Sequence, residues 1–503
     1  MSTPETEQPS PDNVFSDSTG TAQLGKTQQR STGHYVFVLI VILLMVETTT
    51  YGATAFIQVL PHMVPPFTPA QLPWIFSITL LVAASVQPLM GKLADVFGRK
   101  RMLMAVAVIF MLGSLLGALS TSFTLVMIAR VLQASAVALP GVTYSFFREY
   151  MPPKIVPVAV GLGSTTTGLA LLVSPMLAGA LLSLGDFRMV FWFCFFYMLI
   201  FGTLAGFVVP NTRRSGGKRP RLREIDLRGS LLLTLGAGAL LLGITLGGSE
   251  GWGSVWTVLS LVGSVVMFVL FVVAEQRARE PMIPLSLLRG PALGRSLIVG
   301  LFAQVPGTWT YLVSQMLETK PTPGAGYAFG LSATEVGVVI LGFGIMNIIF
   351  GPLGGYLARR TSPRTVMLVS LTAGVASSFL TAFMHDQKWQ FVIFGVIGGV
   401  ASGCYYGGLN NLIIEAVPER LTGVATGMGA CVSAFMGSAV PVIAGVILAG
   451  HVLTTGHGGA PTYTSHGYTI VFVIMGIAAL VGLVLTLGMR HGRAHATGGV
   501  AVH

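Results

Sequence analysis

The sequence predicts an all-α membrane protein with fourteen transmembrane helices, built as two six-helix bundles plus two inserted helices. Three observations predict this fold class: 53% of the 503 residues are hydrophobic, only 9% are charged, and the mean hydropathy is +0.77. Soluble domains carry roughly 25% charged residues, so this chain cannot cover a surface that faces water. The composition therefore excludes a soluble protein and predicts a chain that crosses the membrane many times.

A transmembrane helix needs about 20 mostly apolar residues, and fourteen segments meet this requirement. They lie near residues 35–57, 73–91, 102–120, 123–146, 155–183, 188–209, 228–247, 254–274, 293–316, 331–357, 364–384, 389–413, 421–449 and 467–489. Residues 1–33 are rich in Ser, Thr, Pro and Gln and lack the build of a cleaved signal peptide, so we expect a disordered tail. The predicted domains are a cytoplasmic tail 1–33, a first bundle 34–210, a basic cytoplasmic linker 211–227, two extra helices 228–275, a cytoplasmic loop 276–292, a second bundle 293–490 and a cytoplasmic tail 491–503.

The basic residues predict the orientation of the chain. Nearly all of the 29 lysines and arginines fall in tails and loops on one side of the predicted spans, and the exceptions are Arg188, Lys320, Lys388 and Arg130. Cytoplasmic loops are enriched in Lys and Arg, so we expect both termini in the cytoplasm and the protein in a bacterial plasma membrane. The same distribution explains the net charge of +11 without a nucleic-acid partner.

The chain also contains an internal repeat. VQPLMGKLADVFGRKRMLM (86–104) is echoed by IFGPLGGYLARRTSPRTVML (349–368), and residues 148–168 are echoed by residues 414–433. Three pairs of prolines keep nearly the same separation along the chain: Pro88 and Pro352, Pro152 and Pro418, and Pro175 and Pro441. Spans 1–6 and 9–14 are therefore two copies of one unit, an architecture typical of transporters whose substrate path lies between the halves.

Two motifs resemble those of the major facilitator superfamily. Gly91-Lys-Leu-Ala-Asp95-Val-Phe-Gly98-Arg99-Lys-Arg is similar to its signature loop, and Arg130-Val-Leu-Gln133-Ala-Ser-Ala-Val-Ala138 is similar to its second motif. The order of six, two and six spans and the stretch from Glu275 to Pro284 resemble the fourteen-helix drug:proton antiporter branch. The resemblance implies a secondary active transporter that exports lipophilic or cationic drugs by alternating access. It also implies a proton gradient as the energy source, no cofactor and no enzymatic activity.

Small residues predict two sites of close helix packing. In span 5, Pro175 and Gly179 match the branch's antiporter motif, while Ala170, Ser174 and Ala178 stand where glycines are usual. These residues are still small, so we expect the helix-packing role to survive. In span 12 glycines recur every four residues, at Gly395, Gly399, Gly403 and Gly407, and we interpret this stripe as a packing face rather than a gating element.

Glu47 is an acid well inside a predicted span. The branch's span-1 acid, nine residues before a terminal proline, falls on Gly52 in this sequence, so Glu47 is argued from its own position. A carboxylate at mid-bilayer costs at least about 2.5 kcal/mol and usually has a function or a partner. At 1.5 Å per residue Glu47 lies about 15 Å, and Arg130 about 10 Å, from the outer ends of their spans. Two hypotheses follow: the two residues form a proton-coupling site, or Glu47 is structural, either paired with Arg130 or hydrogen-bonded to Tyr51 without titrating.

Polar residues in several spans are candidates for a substrate cavity. Glu47, Tyr51, Thr54 and Gln58 fall at i, i+4, i+7 and i+11, a stripe that faces protein or a wet cavity and not lipid. The other candidates are polar or aromatic residues of spans 4, 9, 10 and 12: Gln133, Gln304, Trp309, Tyr311, Gln315, Asn347, Tyr405, Tyr406 and Asn410. Ordinary helix packing is the alternative for each of them.

The loop between spans 2 and 3 is a candidate conformational latch. Its residues are Gly91, Asp95, Gly98 and Arg99. In the superfamily this loop holds the second half when the transporter is open to the outside. Asp95 could cap a helix that begins on the cytoplasmic side, such as span 13, and Arg99 could pair with an acid or with the last carbonyls of a helix. The alternative is a charged loop that only orients the helices.

Several other functions are not favoured by the sequence. It contains no G-x-x-x-x-G-K-[ST] phosphate loop and no H-E-x-x-H motif, which argues against ATP-driven pumping and a metal site. Cys194, Cys404 and Cys431 lie in apolar segments and are interpreted as small hydrophobic residues. The expected partners are a small-molecule substrate, protons and the lipid bilayer, with the chain acting as a monomer. Two alternatives stay open: an exporter of a specific lipid, siderophore or metabolite on the same fold, and a membrane-embedded enzyme.

Overall fold

The computed structural model describes residues 31–63, scattered positions between 67 and 97, and then 98–152, 156–210, 227–278, 285–288, 290–327, 329–418, 421–455 and 461–496. These residues form helices and a two-stranded antiparallel hairpin. In chain order the elements are α1 (Thr32–Val59), α2 (Arg99–Leu119), α3 (Phe123–Ala134), α4 (Leu139–Tyr150), α5 (Val156–Leu184), α6 (Arg188–Val208), α7 (Leu227–Ser249), α8 (Val255–Arg277), α9 (Leu285–Leu288), α10 (Pro291–Gln304), α11 (Trp309–Glu318), α12 (Ala333–Arg360), α13 (Pro363–Phe383), α14 (Lys388–Ile414), α15 (Thr422–Ala449), β1 (Val452–Thr455), β2 (Pro461–Tyr463) and α16 (Ser465–Leu487).

The helices confirm an all-α protein that crosses the membrane many times. Within the described residues, 12 helical segments are long and apolar enough to span a bilayer. The predicted span 73–91 lies largely outside the described residues. The predicted span 155–183 coincides with α5, although many of its side chains lie outside them as well. The count of fourteen therefore stays a prediction.

Two predicted spans are interrupted by a short 3-10 turn. Ser135–Ala138 joins α3 to α4, and Val305–Thr308 joins α10 to α11. A proline lies at or just after each turn, Pro140 and Pro306, and proline has no N–H to donate to the preceding turn. Each helix therefore tightens locally before it continues.

Aromatic rings pack closely against each other and against glycines in the core of the first bundle. Phe56 of α1 packs edge-on against Phe191 of α6, with ring centroids 4.6 Å apart. Gly117 of α2 lies so close to Phe191 that an added methyl group would overlap the ring. These helices therefore share one buried core.

The predicted glycine stripe lies on α14 and packs against α12. A methyl group added at Gly403 would lie 2.9 Å from Cβ of Phe350, and one added at Gly407 would lie 2.9 Å from the backbone of Gly354. Both distances are shorter than real contacts of a Cβ atom, so larger residues would force the helices apart. The packing interpretation of the stripe is confirmed.

The inserted helix α7 contacts both halves of the protein. Gly238 lies against Leu81 of the predicted second span, and Gly248 lies against Val446 of α15. The neighbouring helix α8 packs on α7 and exposes much of its apolar surface, including Val255, which is 69% exposed. Because α7 touches each half, the inserted pair covers the seam between them at this side of the molecule.

A β-hairpin connects α15 to α16. Val452 of β1 stands opposite Tyr463 of β2. The hydroxyl of Tyr327, in the segment between α11 and α12, donates to the carbonyl of Tyr463 over 2.7 Å. This structured region covers the end of the second bundle that the basic residues predict to face outside.

Candidate functional site

Arg130 of α3 is buried in the first bundle and contacts two other helices. Its Nε donates to the carbonyl of Ile75 over 3.1 Å, and Nη1 donates to the carbonyl of Gly52 over 3.4 Å. The guanidinium also lies 4.1 Å from the centroid of the Phe56 ring, a cation–π contact. Arg130 therefore ties α3 to α1 and to the segment that contains Ile75.

Gln133 completes this network one turn further along α3. Its Oε1 accepts from Nη1 of Arg130 over 2.9 Å, and its Nε2 donates to Oγ of Ser114 on α2 over 2.9 Å. Gln133 is only 2% exposed. In this structure it orients Arg130 in the interior, and its assignment to a substrate cavity stays a prediction.

Glu47 lies on the side of α1 that faces α6. The side chain is 1% exposed, and Tyr51, four residues later, lies on the same face of α1. The ring of Tyr51 lies 5.7 Å from that of Tyr197 and 6.0 Å from that of Phe193, measured between centroids. A buried carboxylate therefore stands beside a cluster of aromatic side chains, which we call the aromatic cluster: Tyr51, Phe193, Tyr197 and Phe201.

The hypothesis of a Glu47–Arg130 ion pair is not supported by these contacts. In the described part of the chain, the contacts of Arg130 with α1 are at Gly52 and Phe56, and an ion pair with Glu47 is not among them. Residues 47 and 52 are separated by about 7.5 Å along the helix and by about 140° around it. Glu47 therefore projects from α1 in a different direction from the side on which Arg130 contacts that helix at Gly52. Similar depth along two helices does not bring two side chains together.

Of the aromatic cluster, Tyr51 alone is among the residues predicted from the sequence, because those candidates lie in spans 1, 4, 9, 10 and 12 and the other members lie in α6. Phe193, Tyr197 and Phe201 occupy positions i, i+4 and i+8 of α6, which place them on one helix face. This spacing is visible in the sequence. What the sequence does not show is that this face turns towards Glu47.

Thr54 joins α1 to α5. Its hydroxyl hydrogen-bonds with the hydroxyl of Ser174 and donates to the carbonyl of Thr50 over 2.7 Å. Ser174 is one of the residues that replace a glycine of the antiporter motif, and here its hydroxyl forms a link between helices. The side chain of Gln58, the last residue of the predicted stripe, lies outside the described residues.

Three predicted cavity residues of the second bundle instead form interior contacts. Nε1 of Trp309 donates to Oγ1 of Thr381 over 2.8 Å, and its ring stacks on Phe343. Asn347 donates to Oγ of Ser402 over 2.7 Å, and the hydroxyl of Tyr405 lies 2.6 Å from Oγ of Ser433. All three are at most 2% exposed. Helix packing accounts for these contacts, and the assignment of the three residues to a substrate cavity stays a prediction.

The remaining cavity candidates are half-buried. Tyr311 and Gln315 lie one turn apart on α11, and the ring of Tyr406 lies 5.0 Å from that of Tyr405. Gln304 lies beside Gly307 in the interrupted helix, and Asn410 lies near the end of α14. These residues stay candidates for substrate contact.

Half of the predicted latch can be located. Gly91 and Asp95 lie outside the described residues, whereas Gly98 and Arg99 form the start of α2. Gly98 has φ +93°, a conformation that glycine adopts without a steric penalty. The turn into α2 therefore requires this glycine, and the latch itself stays a prediction.

The helix-packing motif of α5 lies at the contact between the halves. A methyl group added at Gly179 would come 3.3 Å from Oγ1 of Thr334, near the start of α12. α5 and α12 pack along each other. The side chain of Pro175 lies outside the described residues. In the part of the chain that the structure describes, no group of three or more His, Cys, Asp or Glu side chains is placed to hold a metal ion.

Curated relatives include proteins that are named for resistance to antibiotics or drugs. A tetracenomycin C resistance and export protein of Streptomyces glaucescens is 25% identical over 391 residues, covering 76% of this chain and 70% of the relative. Multidrug resistance protein 3 of Bacillus subtilis (strain 168) is 23% identical over 367 residues, covering 72% of this chain and 69% of the relative.

Solved structures share the fold at low sequence identity. The peptide transporter POT in complex with sulfate has a TM-score of 0.63 at 15% identity, covering 92% of this chain and 95% of that one. The human organic anion transporter MFSD10 has a TM-score of 0.56 at 15% identity, covering 91% of this chain and 100% of that one.

The model of the Major Facilitator Superfamily matches residues 35–320 and 297–501, nearly the whole membrane-spanning part of the chain. The two motifs, the duplicated bundles and the fold agree with this match. The protein is a multi-pass membrane transporter and not an enzyme. The chain belongs to the Major Facilitator Superfamily.

Proposed function

We propose that this transporter exports lipophilic or cationic compounds in exchange for protons, with its two bundles alternating access to a central site. The observation that carries the proposal is the position of Glu47. It is a fully buried carboxylate in α1, and the aromatic cluster lies beside it.

This arrangement suits a site where a proton and a cation compete. A carboxylate can bind either of them, and aromatic faces attract cations through their ring quadrupoles. When the cavity opens outward, a proton would displace the cargo from Glu47, and when it opens inward, the proton would be released and the cargo would bind again. Transport is coupled because the two ligands exclude each other at one side chain.

Arg130 is assigned a positioning role in this proposal. It contacts α1 at Gly52 and Phe56, between one and three turns from Glu47, and is itself oriented by Gln133. This network holds the helix that carries Glu47 against α3. The proton site is therefore assigned to Glu47, with Arg130 fixing the geometry of α1.

The names of the relatives support the choice of cargo. One relative is named for resistance to and export of tetracenomycin C, and another for multidrug resistance. The alternative, export of one specific lipid, siderophore or metabolite, predicts no broad resistance. We place the transporter in the plasma membrane with both termini in the cytoplasm, on the strength of the basic residues in the predicted inner loops.

A growth panel tests the proposal. The protein is expressed in an efflux-deficient bacterium and challenged with dyes, quaternary ammonium compounds and antibiotics. Resistance to several unrelated compounds is expected, and it should be lost in Glu47→Gln. The matched control is Glu335→Gln, an exposed acid in the capping box of α12, because glutamine preserves that cap. Growth protection against none of the compounds, at verified expression, would contradict drug export.

A further inference from the structure

The segment after α16 folds back across one end of the second bundle. The amide of Arg364 donates to the carbonyl of Gly492 over 3.0 Å, and the amide of Ala496 donates to the carbonyl of Ala358 over 3.0 Å. Nε2 of His491 lies 2.9 Å from the carbonyl of Leu412. Residues 488–496, here called the tail clasp, therefore bind the ends of α12, α13 and α14.

Side-chain packing fixes the clasp in this position. Met489 is 1% exposed, and a methyl group added at Gly492 would overlap Leu412. Gly492 also has φ +76°, so the turn depends on glycine. The guanidinium of Arg364 donates to the last carbonyls of α16, those of Thr486 and Leu487, over 2.9 and 2.6 Å. The clasp is therefore part of the folded bundle.

The clasp brings together arginines that are far apart in the sequence. Arg490 and Arg493 are exposed on the clasp, and Arg359 and Arg360 are exposed at the end of α12. Because Ala496 bonds directly to Ala358, and three residues span at most about 10 Å, Arg493 lies near Arg359. We call these four residues the arginine patch. Among the described residues close to the clasp, the acidic residue is Glu415, which is half-buried. Four exposed arginines outweigh this one acid, so the patch is strongly basic.

The patch lies where the apolar surface of the bundle ends. Leu487 and Val484 of α16 are 54% and 61% exposed, and Tyr356, beneath Arg360, is 53% exposed. The centroid of the Tyr356 ring lies 5.4 Å from the Arg360 guanidinium. Apolar side chains at this level would face acyl chains, and the arginines just beyond them would face head groups. The basic loops predict that this is the cytoplasmic side.

We propose that the arginine patch binds the phosphate of an anionic phospholipid. Guanidinium groups bind phosphate through paired, charge-assisted hydrogen bonds. Basic pockets on the cytoplasmic side of membrane proteins bind anionic head groups in the same way. A free phosphate would satisfy the same arginines, but the apolar surface next to them favours a lipid. The proposal does not depend on which compound the protein exports.

Lipid binding to purified protein tests the proposal. Native mass spectrometry measures the binding of phosphatidylglycerol and phosphatidylcholine to wild type, to Arg490→Gln/Arg493→Gln and to Arg359→Gln/Arg360→Gln. The contacts between the clasp and the bundle are made by Met489, His491, Gly492, Ala496 and Arg364, and none of these residues is substituted. Both variants should therefore fold, which size-exclusion chromatography and thermal unfolding verify. The matched control is Arg228→Gln/Arg277→Gln, which removes two exposed arginines at the same predicted side of the inserted helices.

We expect phosphatidylglycerol to bind more tightly than phosphatidylcholine, and each patch variant to lose roughly tenfold in affinity for phosphatidylglycerol. The control should bind as wild type does, and millimolar inorganic phosphate should not displace the lipid. Unchanged affinity in a folded patch variant would overturn the proposal, as would an equal loss in the control. Displacement by inorganic phosphate would show a site for soluble phosphate and would also overturn it.

Discussion

Arg130 donates a hydrogen bond to the backbone carbonyl of Gly52, 3.4 Å away, at the position where the resemblance to the antiporter branch leads one to expect an acid. The arginine thus meets α1 through a main-chain oxygen rather than through a carboxylate. Glu47 lies further along the same helix and turns towards α6. The buried arginine and the buried acid of the first bundle therefore occupy separate sites.

Glu47→Gln should abolish transport driven by a pH gradient while the protein stays folded. Glutamine keeps the size and one carbonyl acceptor but cannot carry a proton. Because the hydrogen bonds of Arg130 go to Ile75, Gly52 and Gln133, removing the acid leaves that network intact. Reconstituted vesicles measure substrate uptake after a pH jump, with Glu335→Gln as the control. A folded Glu47→Gln protein that still pumps would move the coupling site to another acid, such as Glu318 or Asp386.

Arg130→Lys should destabilise the first bundle. The three donors of a lysine lie on a single nitrogen. Lysine therefore cannot donate to the carbonyls of Ile75 and Gly52 and to Oε1 of Gln133 in the geometry of the guanidinium. Each buried acceptor left without a donor costs about 1–3 kcal/mol. Thermal unfolding of the purified protein should show a lower midpoint. Arg188→Lys, in the partly exposed pair with Asp186, is the control and should leave the midpoint unchanged.

Alanine at Gly403 should destabilise the second bundle, whereas alanine at Gly355 should not. The new methyl group would lie 2.9 Å from Cβ of Phe350 in the first case and would meet nothing within 4 Å in the second. Overpacking of this kind costs about 1–3 kcal/mol, while replacing a helical glycine in open space gains up to about 1 kcal/mol. Both variants are compared by thermal unfolding in the same detergent. Equal midpoints would contradict the close packing of α12 and α14.

Asp95→Asn should leave expression intact but slow transport. If the loop latches the outward-open state, the loss of a cap and a charge pair removes about 1–2 kcal/mol from that state. Such a change shifts a two-state population by about five- to thirty-fold. Transport rates in vesicles measure the effect, with Asp186→Asn in an outer loop as the control. Unchanged transport rates in Asp95→Asn would contradict the latch and show that the loop only orients the helices.

The orientation can be tested with inserted tags. Tags at residues 20 and 217 should be protected in intact cells, because the flanking segments are basic and predicted to be cytoplasmic. A tag near residue 459, between β1 and β2, should be accessible from outside. If the tag at residue 20 or the tag at residue 217 were accessible from outside, the predicted topology of fourteen spans would be wrong.

Hydropathy and residue spacing determined much of this protein from the sequence alone. Apolar runs of sufficient length predicted the membrane-spanning helices because each must satisfy its backbone hydrogen bonds inside lipid. The glycine stripe predicted that α14 packs closely against another helix, which in the structure is α12, because only small residues allow two helices to approach so closely. The repeat and the two motifs predicted the superfamily to which the chain belongs.

The tertiary structure decided which side chains meet. Trp309, Asn347 and Tyr405 have the chemistry of cavity residues, yet they hydrogen-bond inside the second bundle, because polarity does not specify which neighbour a helix face turns towards. In the same way, Arg130 and Glu47 have similar predicted depths, but Arg130 of α3 meets α1 at Gly52 and Phe56 whereas Glu47 projects from another side of α1. Depth follows from position along one helix, whereas contact depends on the rotation and packing of several helices at once.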